Sequence, residues 1–252
     1  MKHIVNFSGG RSSAYMINFL DRKNNDFIFI FCNTSKETPE TYEFINECDK
    51  YFNLNLIVLE YKPKSFIITS IDECKKNGEV FEELIKNKKF IPNLAMRFCT
   101  VDMKIKTTKR YLKSLGIKKY INYLGIRADE PQRYSKIIQR NNRNVYNDMP
   151  LFYNNINKEN VNNYWLNMPF NLKHKSELGN CDLCFLKGKN KIINILRKQP
   201  EKAKWWIEQE QKNGHTFKKD ISYKTMLELS QQPEFNFDSD NTEIICNCNN
   251  ND

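Results

Sequence analysis

No stretch of this sequence stays apolar long enough to cross a bilayer, so no membrane partner is expected. No charged-then-apolar leader precedes the first strand-like segment, which makes the cytoplasm the expected compartment. No internal repeat is evident. Glycine is scarce, with eight in 252 residues, yet two of them stand together at Gly9 and Gly10. No third glycine follows at the spacing of the dinucleotide fingerprint, and no Gly-Lys pair at the spacing of the G-x-x-x-x-G-K-[ST] phosphate loop. The first turn is neither of these.

What is present at that turn is a short apolar strand (His3-Ile4-Val5-Asn6-Phe7), then Ser8-Gly9-Gly10, then a helix start at Arg11-Ser12-Ser13-Ala14. The glycines permit torsions a β-carbon forbids and let a ligand approach the backbone closely. Ser12 and Ser13 suit the first turn of a helix, whose unpaired N–H groups form an anion site. A phosphate or sulfate is the expected ligand, and an ordinary strand-to-helix turn is the alternative.

The remaining composition is that of a globular protein, with 40% hydrophobic and 28% charged residues. Eight cysteines without a secretion signal favour reduced thiols, metal or redox chemistry over structural disulfides. A net charge of +10 favours polyanions such as nucleotides or nucleic acid, although the lysines are spread along the whole chain.

Short apolar runs at 27–32, 56–59 and 120–124 alternate with helical stretches at 39–52, 80–85 and 101–115. That alternation predicts an α/β fold with a doubly wound, mostly parallel sheet. Ligands on such sheets sit at the carboxyl ends of the strands. Ser8-Gly9-Gly10, Asn33-Thr34 and Gly125-Ile126-Arg127 with Arg133 all fall there. Residues 135–163, rich in Asn, Arg and Lys, read as a flexible loop. The expected organisation is a nucleotide-binding domain over 1–134, a flexible loop and helical cysteine-bearing extension over 135–235, and a mobile tail over 236–252. Cys32, Cys48 and Cys74 lie in apolar or helical contexts and read as structural. Cys181 and Cys184 have metal-ligand spacing, with a dithiol redox pair as the competitor.

The order of these motifs resembles the phosphoadenylyl-sulfate (PAPS) reductases within the N-type ATP pyrophosphatases, a Rossmann-like (HUP-like) superfamily. Ser8-Gly9-Gly10-Arg11-Ser12-Ser13 is similar to their pyrophosphate loop, with Ser12 where the superfamily usually has an acid. Asn33-Thr34 with Pro39-Glu40-Thr41-Tyr42 is similar to their Asp-Thr…Pro-Glu-Thr-Tyr. Cys99-Thr100-Val101-Asp102-Met103-Lys104 resembles their Cys-Cys-x-x-Arg-Lys, and Gly125-Ile126-Arg127 with Arg133 resembles their Gly-x-Arg…Arg. Cys181-Asp182-Leu183-Cys184 is similar to their Cys-x-x-Cys. The relatives expected nearest are phage- and mobile-element-borne.

The resemblance implies an adenine nucleotide, ATP or PAPS, bound by Ser8 to Ser13, Asn33, Thr34 and Gly125. Lys104, Arg127 and Arg133 would stabilise charge. Cys99, Cys181 and Cys184 would hold a [4Fe-4S] cluster, or zinc with His174, or remain bare thiols. In one version ATP, with Mg, adenylates an acceptor such as nucleic acid and sulfur displaces AMP. In the other, a thiolate (Cys246 or Cys248) attacks the sulfur of PAPS or adenylyl sulfate. A third reading is a nucleotide-binding accessory subunit of a defence or mobile-element complex without turnover. A homo-oligomer or a subunit of a complex is expected.

Overall fold

The computed structural model describes residues 1–173 and 178–232. His174 and the tail cysteines Cys246 and Cys248 lie outside the described residues. The fold is α/β, built on one six-stranded sheet in the order β4-β3-β2-β1-β5-β6. The strands are β1 (Lys2–Asn6), β2 (Phe27–Asn33), β3 (Ile57–Lys62), β4 (Ser65–Thr69), β5 (Tyr120–Tyr123) and β6 (Val145–Asp148). All neighbours are parallel except β3 and β4, which form an antiparallel hairpin.

β2 is apolar almost throughout because both its faces are covered. Its residues Phe29 and Phe31 join Val5, Phe7 and Tyr123 under α1 (Arg11–Tyr15) and α2 (Pro39–Phe52). Ile30 and Cys32 join Ile4, Leu59 and Tyr120 on the other face, under α4 (Thr107–Ser114). α2 starts where the sequence says it should. Thr38 caps it by accepting from the Thr41 N–H, Pro39 fills the first turn, and Asn53 ends it at φ +49°.

Cys99–Lys106 is π-helical and runs directly into α4, so the single helix expected from 101 is wider at its start. The stretch 135–163 is not the flexible loop expected. It continues α5 (Pro131–Ile138) and holds β6, α6 (Pro150–Tyr153) and α7 (Lys158–Leu166). Beyond it, α8 (Lys189–Lys198), α9 (Ala203–Asn213) and α10 (Tyr223–Ser230) pack with α3 (Glu79–Lys88) around Trp206, Phe217 and Tyr223.

Candidate functional site

The strand order reverses between β1 and β5: from β1 the chain builds outward through β2 and β3, then returns to β1's other side with β5 and β6. Such a reversal opens a crevice at the carboxyl ends of the two strands. Ser8 to Ser13 leave β1 there, and Gly125 to Arg127 leave β5 there.

The loop is stitched internally. Ser13 Oγ accepts from the Ser8 N–H at 3.3 Å and the Ser8 hydroxyl at 3.0 Å, and donates to Gly10 O at 2.9 Å. Ser13 is 3% exposed, so it shapes the loop instead of facing a ligand. Gly9 sits at φ +73°, and a β-carbon there would lie 2.7 Å from Ile45 Cδ1 on α2. Gly125 allows the strand end to pass directly under α1: a β-carbon would lie 2.8 Å from Ser13 N and Cα. Its role is close approach of backbone to backbone.

Arg127 is the charged group the fold brings to the loop. Its Nη1 donates to Ser12 Oγ at 3.4 Å, while Nε and Nη2 grip the Asp129 carboxylate at 2.8 and 3.1 Å. Arg11 turns the other way, donating from Nε to Asn171 Oδ1 at 2.7 Å and from Nη2 to Leu172 O. It ties the loop to 171–172.

Asn180 and Glu37 complete the crevice. Asn180 donates from Nδ2 to Ser8 O at 2.5 Å, and both its amide atoms lie 3.3 Å from where a Gly10 β-carbon would be. Glu37, 4% exposed, accepts from the Thr34 N–H and hydroxyl at 3.1 and 2.7 Å and from the Tyr42 hydroxyl at 3.2 Å. Asn33 donates to Glu60 Oε1 at 2.8 Å and accepts from the Tyr42 hydroxyl at 2.8 Å. Burial first, and Glu37 second, push the Tyr42 phenol far above its ordinary range. Asn33 and Thr34 are thus spent on holding the end of β2. The Cys181 loop docks on it through a Glu37–Cys181 bridge, with Thr38 N donating to Asn180 O at 3.0 Å and Asp182 N to Lys36 O at 2.9 Å.

Residues 2–173 match the phosphoadenosine phosphosulfate reductase domain family. The chain belongs to that family. It is 29% identical over 205 residues to an uncharacterised nin region protein of Escherichia phage lambda, covering 76% of this chain and 68% of that one. It is 28% identical over 130 residues to a phosphoadenosine 5′-phosphosulfate reductase of Vibrio vulnificus, covering 52% of this chain and 45% of the reductase. A crystal structure of a PAPS reductase from Candida auris in complex with phosphate matches 68% of this chain and 76% of its own at 19% identity and a TM-score of 0.41.

Of the other residues matched to the reductase motifs, Arg133 reaches Arg127 through Glu130, and Cys181 follows Asn180, which holds Ser8. Arg133 is 9% exposed and paired with Glu130, itself 5% exposed. Its place is the first turn of α5. Lys104 lines a cavity over β5 and β6 on the α4 face of the sheet, away from α1. Cys99 packs on the apolar cluster beneath α8 to α10. Cys181 Sγ lies 3.9 Å from Thr34 Oγ1 and 4.0 Å from Glu37 Oε1, and burial lowers the Lys218 ammonium, an effect that nearby Cys184 partly offsets. Among the described residues, no three His, Cys, Asp or Glu side chains are grouped to hold a metal ion. No helix among the described residues is long and apolar enough to cross a membrane.

The cysteines do separate into two sets by environment. Burial pushes the Cys32 and Cys74 thiols up to about 11 and raises Cys48 as well, while Cys99, Cys181 and Cys184 are partly exposed. A rise of two units leaves roughly 100-fold less thiolate at pH 8. Iodoacetamide labelling of the native protein, read by peptide mass spectrometry, is therefore expected to modify Cys99, Cys181 and Cys184 well before Cys32, Cys48 and Cys74. Equal rates would contradict these burial assignments.

Proposed function

We propose that this chain binds an adenine nucleotide carrying a phosphosulfate, PAPS or adenylyl sulfate, with the anion held at Ser8 to Ser12 under Arg127. The single observation that carries this reading is the Arg127 guanidinium held against Ser12 at the switch point of a PAPS reductase-family sheet. A planar guanidinium suits paired phosphate or sulfate oxygens. The nearby carboxylates speak against a magnesium-bound triphosphate. Asp129 is gripped by Arg127, and Glu130 is shared between Arg127 and Arg133. Ser12 itself offers no charge for a metal.

In the reaction this supports, a cysteine thiolate attacks the sulfur of the phosphosulfate. The new S–S bond forms as the S–O bond to phosphate breaks, and the nucleotide phosphate leaves with the electron pair. A second thiol then attacks the S-sulfocysteine, releasing sulfite and leaving a disulfide. Arg127 and the loop N–H groups would stabilise the leaving phosphate. Cys246 and Cys248 are the candidate thiols from the sequence. The test is sulfite release from PAPS and from adenylyl sulfate by the whole protein with a dithiol reductant. Release that falls at least tenfold in Arg127→Ala supports the reading, and no release from either nucleotide overturns it.

A second reading, nucleotide binding without turnover, is favoured by Asn180 lying over Gly10 and by Lys104 lining a cavity that none of Ser8 to Ser13 lines. It predicts binding of the same nucleotides with no sulfite.

A further inference from the structure

A cavity of about 140 Å³ lies on the α4 face of the sheet, between α4 and α5, over β1, β5 and β6. The phosphate loop enters α1 on the opposite face, so this cavity is a separate place. Its size is that of a single six-membered ring, since a cavity of roughly 150 Å³ in a protein core accepts benzene. Its walls are apolar where a ring would lie, with Leu124, Ile137 and Val145.

Its floor is a row of carboxamides crossing three strands. Asn6 Nδ2 donates to Asn122 Oδ1, and Asn122 Nδ2 donates to Asn147 Oδ1 at 2.7 Å. Asn147 in turn donates to Asn141 Oδ1 at 2.8 Å. Asn147 is 7% exposed, so the row is built into the sheet and is not a surface accident. Three polar side chains in mid-sheet, where β2 carries Ile30 beside Asn6, give amide edges of the kind that pair with bases. Asn6 Oδ1 accepts no hydrogen bond among the described residues.

The rim carries one sign of charge. Lys104, Lys109 and Arg140 line the cavity, and none of the described residues lining it is acidic. Lys109 and Arg140 make no ion pair among the described residues. A ring with hydrogen-bonding edges and an attached anion satisfies floor, walls and rim together. We infer that this cavity binds a pyrimidine nucleotide, the base over the asparagine row and the phosphate against Lys109 and Arg140. The nucleotide is either free or a residue of a single strand, and the binding goes beyond the phosphosulfate chemistry of the loop.

The test titrates the full chain by calorimetry with cytidine and uridine monophosphates, adenosine monophosphate, and a short oligodeoxycytidine. The variants are Lys109→Glu/Arg140→Glu, which changes only rim residues, and Arg127→Ala. The expected result is pyrimidine binding that weakens at least tenfold in the double variant and holds in Arg127→Ala. Tighter binding of the oligomer than of the monophosphates identifies a strand as the source, and the reverse identifies a free nucleotide. The inference is overturned if no pyrimidine ligand binds, if binding is unchanged in the double variant, or if adenosine monophosphate binds this cavity as tightly. Loss of PAPS binding in Arg127→Ala is a separate readout, so failure at the loop and failure at the cavity are distinguishable.

Discussion

Gly125→Val is expected to lower the unfolding temperature by roughly 6–12 °C and to remove nucleotide binding at the loop. The first β-carbon would lie 2.8 Å from Ser13 N and Cα and 3.0 Å from Ser12 C. Those are backbone atoms at the start of α1, which cannot swing aside as a side chain can. Overpacking of this kind costs about 3 kcal/mol, and in a chain of this size each kcal/mol shifts the midpoint by roughly 2–4 °C. The strain falls on the loop that would hold the anion, so binding and stability fall together. Gly10→Ala makes the comparison informative. Its β-carbon meets side chains alone, the Asn180 amide at 3.3 Å and Ser8 Oγ at 3.7 Å, and the Asn180 side chain can rotate. Its midpoint is expected within about 3 °C of wild type. Scanning calorimetry on the two variants checks the order, and a Gly125→Val protein as stable as Gly10→Ala would refute the packing role given to Gly125.

The second large effect is expected at Asp182→Ala, with a loss of about 3–5 kcal/mol. Asp182 Oδ2 pairs with Lys36 Nζ at 3.0 Å, the two side chains being 12% and 9% exposed. Its Oδ1 accepts from Trp206 Nε1 at 3.1 Å and from the Leu183 N–H at 2.6 Å. Removing the carboxylate leaves a buried ammonium whose remaining neighbours are the Trp205 and Trp206 rings, at 4.8 and 5.8 Å. The cost comes from that orphaned charge more than from the pair itself, so Lys36→Met/Asp182→Leu is expected to regain most of the loss. Urea denaturation of the two variants decides it. If the double variant is no more stable than Asp182→Ala, the penalty lies in the lost Trp206 and Leu183 hydrogen bonds.

Much of this architecture was legible because it rests on local signals. The apolar run Phe27–Cys32 announces a strand covered on both faces, and Pro39 with Thr38 announces the start of α2. β4 escaped because Ser65–Thr69 is a half-exposed edge of a hairpin with Ile68 in solvent. β6 escaped because Asn147 and Asp148 read as loop, although Asn147 is buried in the amide row. At the site, the glycine pair and Arg127 were readable from their place after a strand. The Arg133–Glu130 pair was not legible, because composition cannot tell which arginine a buried Glu130 will capture. The contacts of Asn180 and Glu37 with the site were not legible for a related reason. Asn180 reaches the loop across 172 positions of sequence, and Glu37 matters only because a turn folds it back under Thr34.

The central claim is that the loop at the β1–β5 switch point holds a nucleotide's anionic end with the help of Arg127. Calorimetric titration of the full chain and of Arg127→Ala with PAPS, adenylyl sulfate and ATP tests it most directly. The account predicts a phosphosulfate bound more tightly than ATP without added metal, weakened at least tenfold by Arg127→Ala. No heat with any of the three, or identical affinity in the variant, would contradict it.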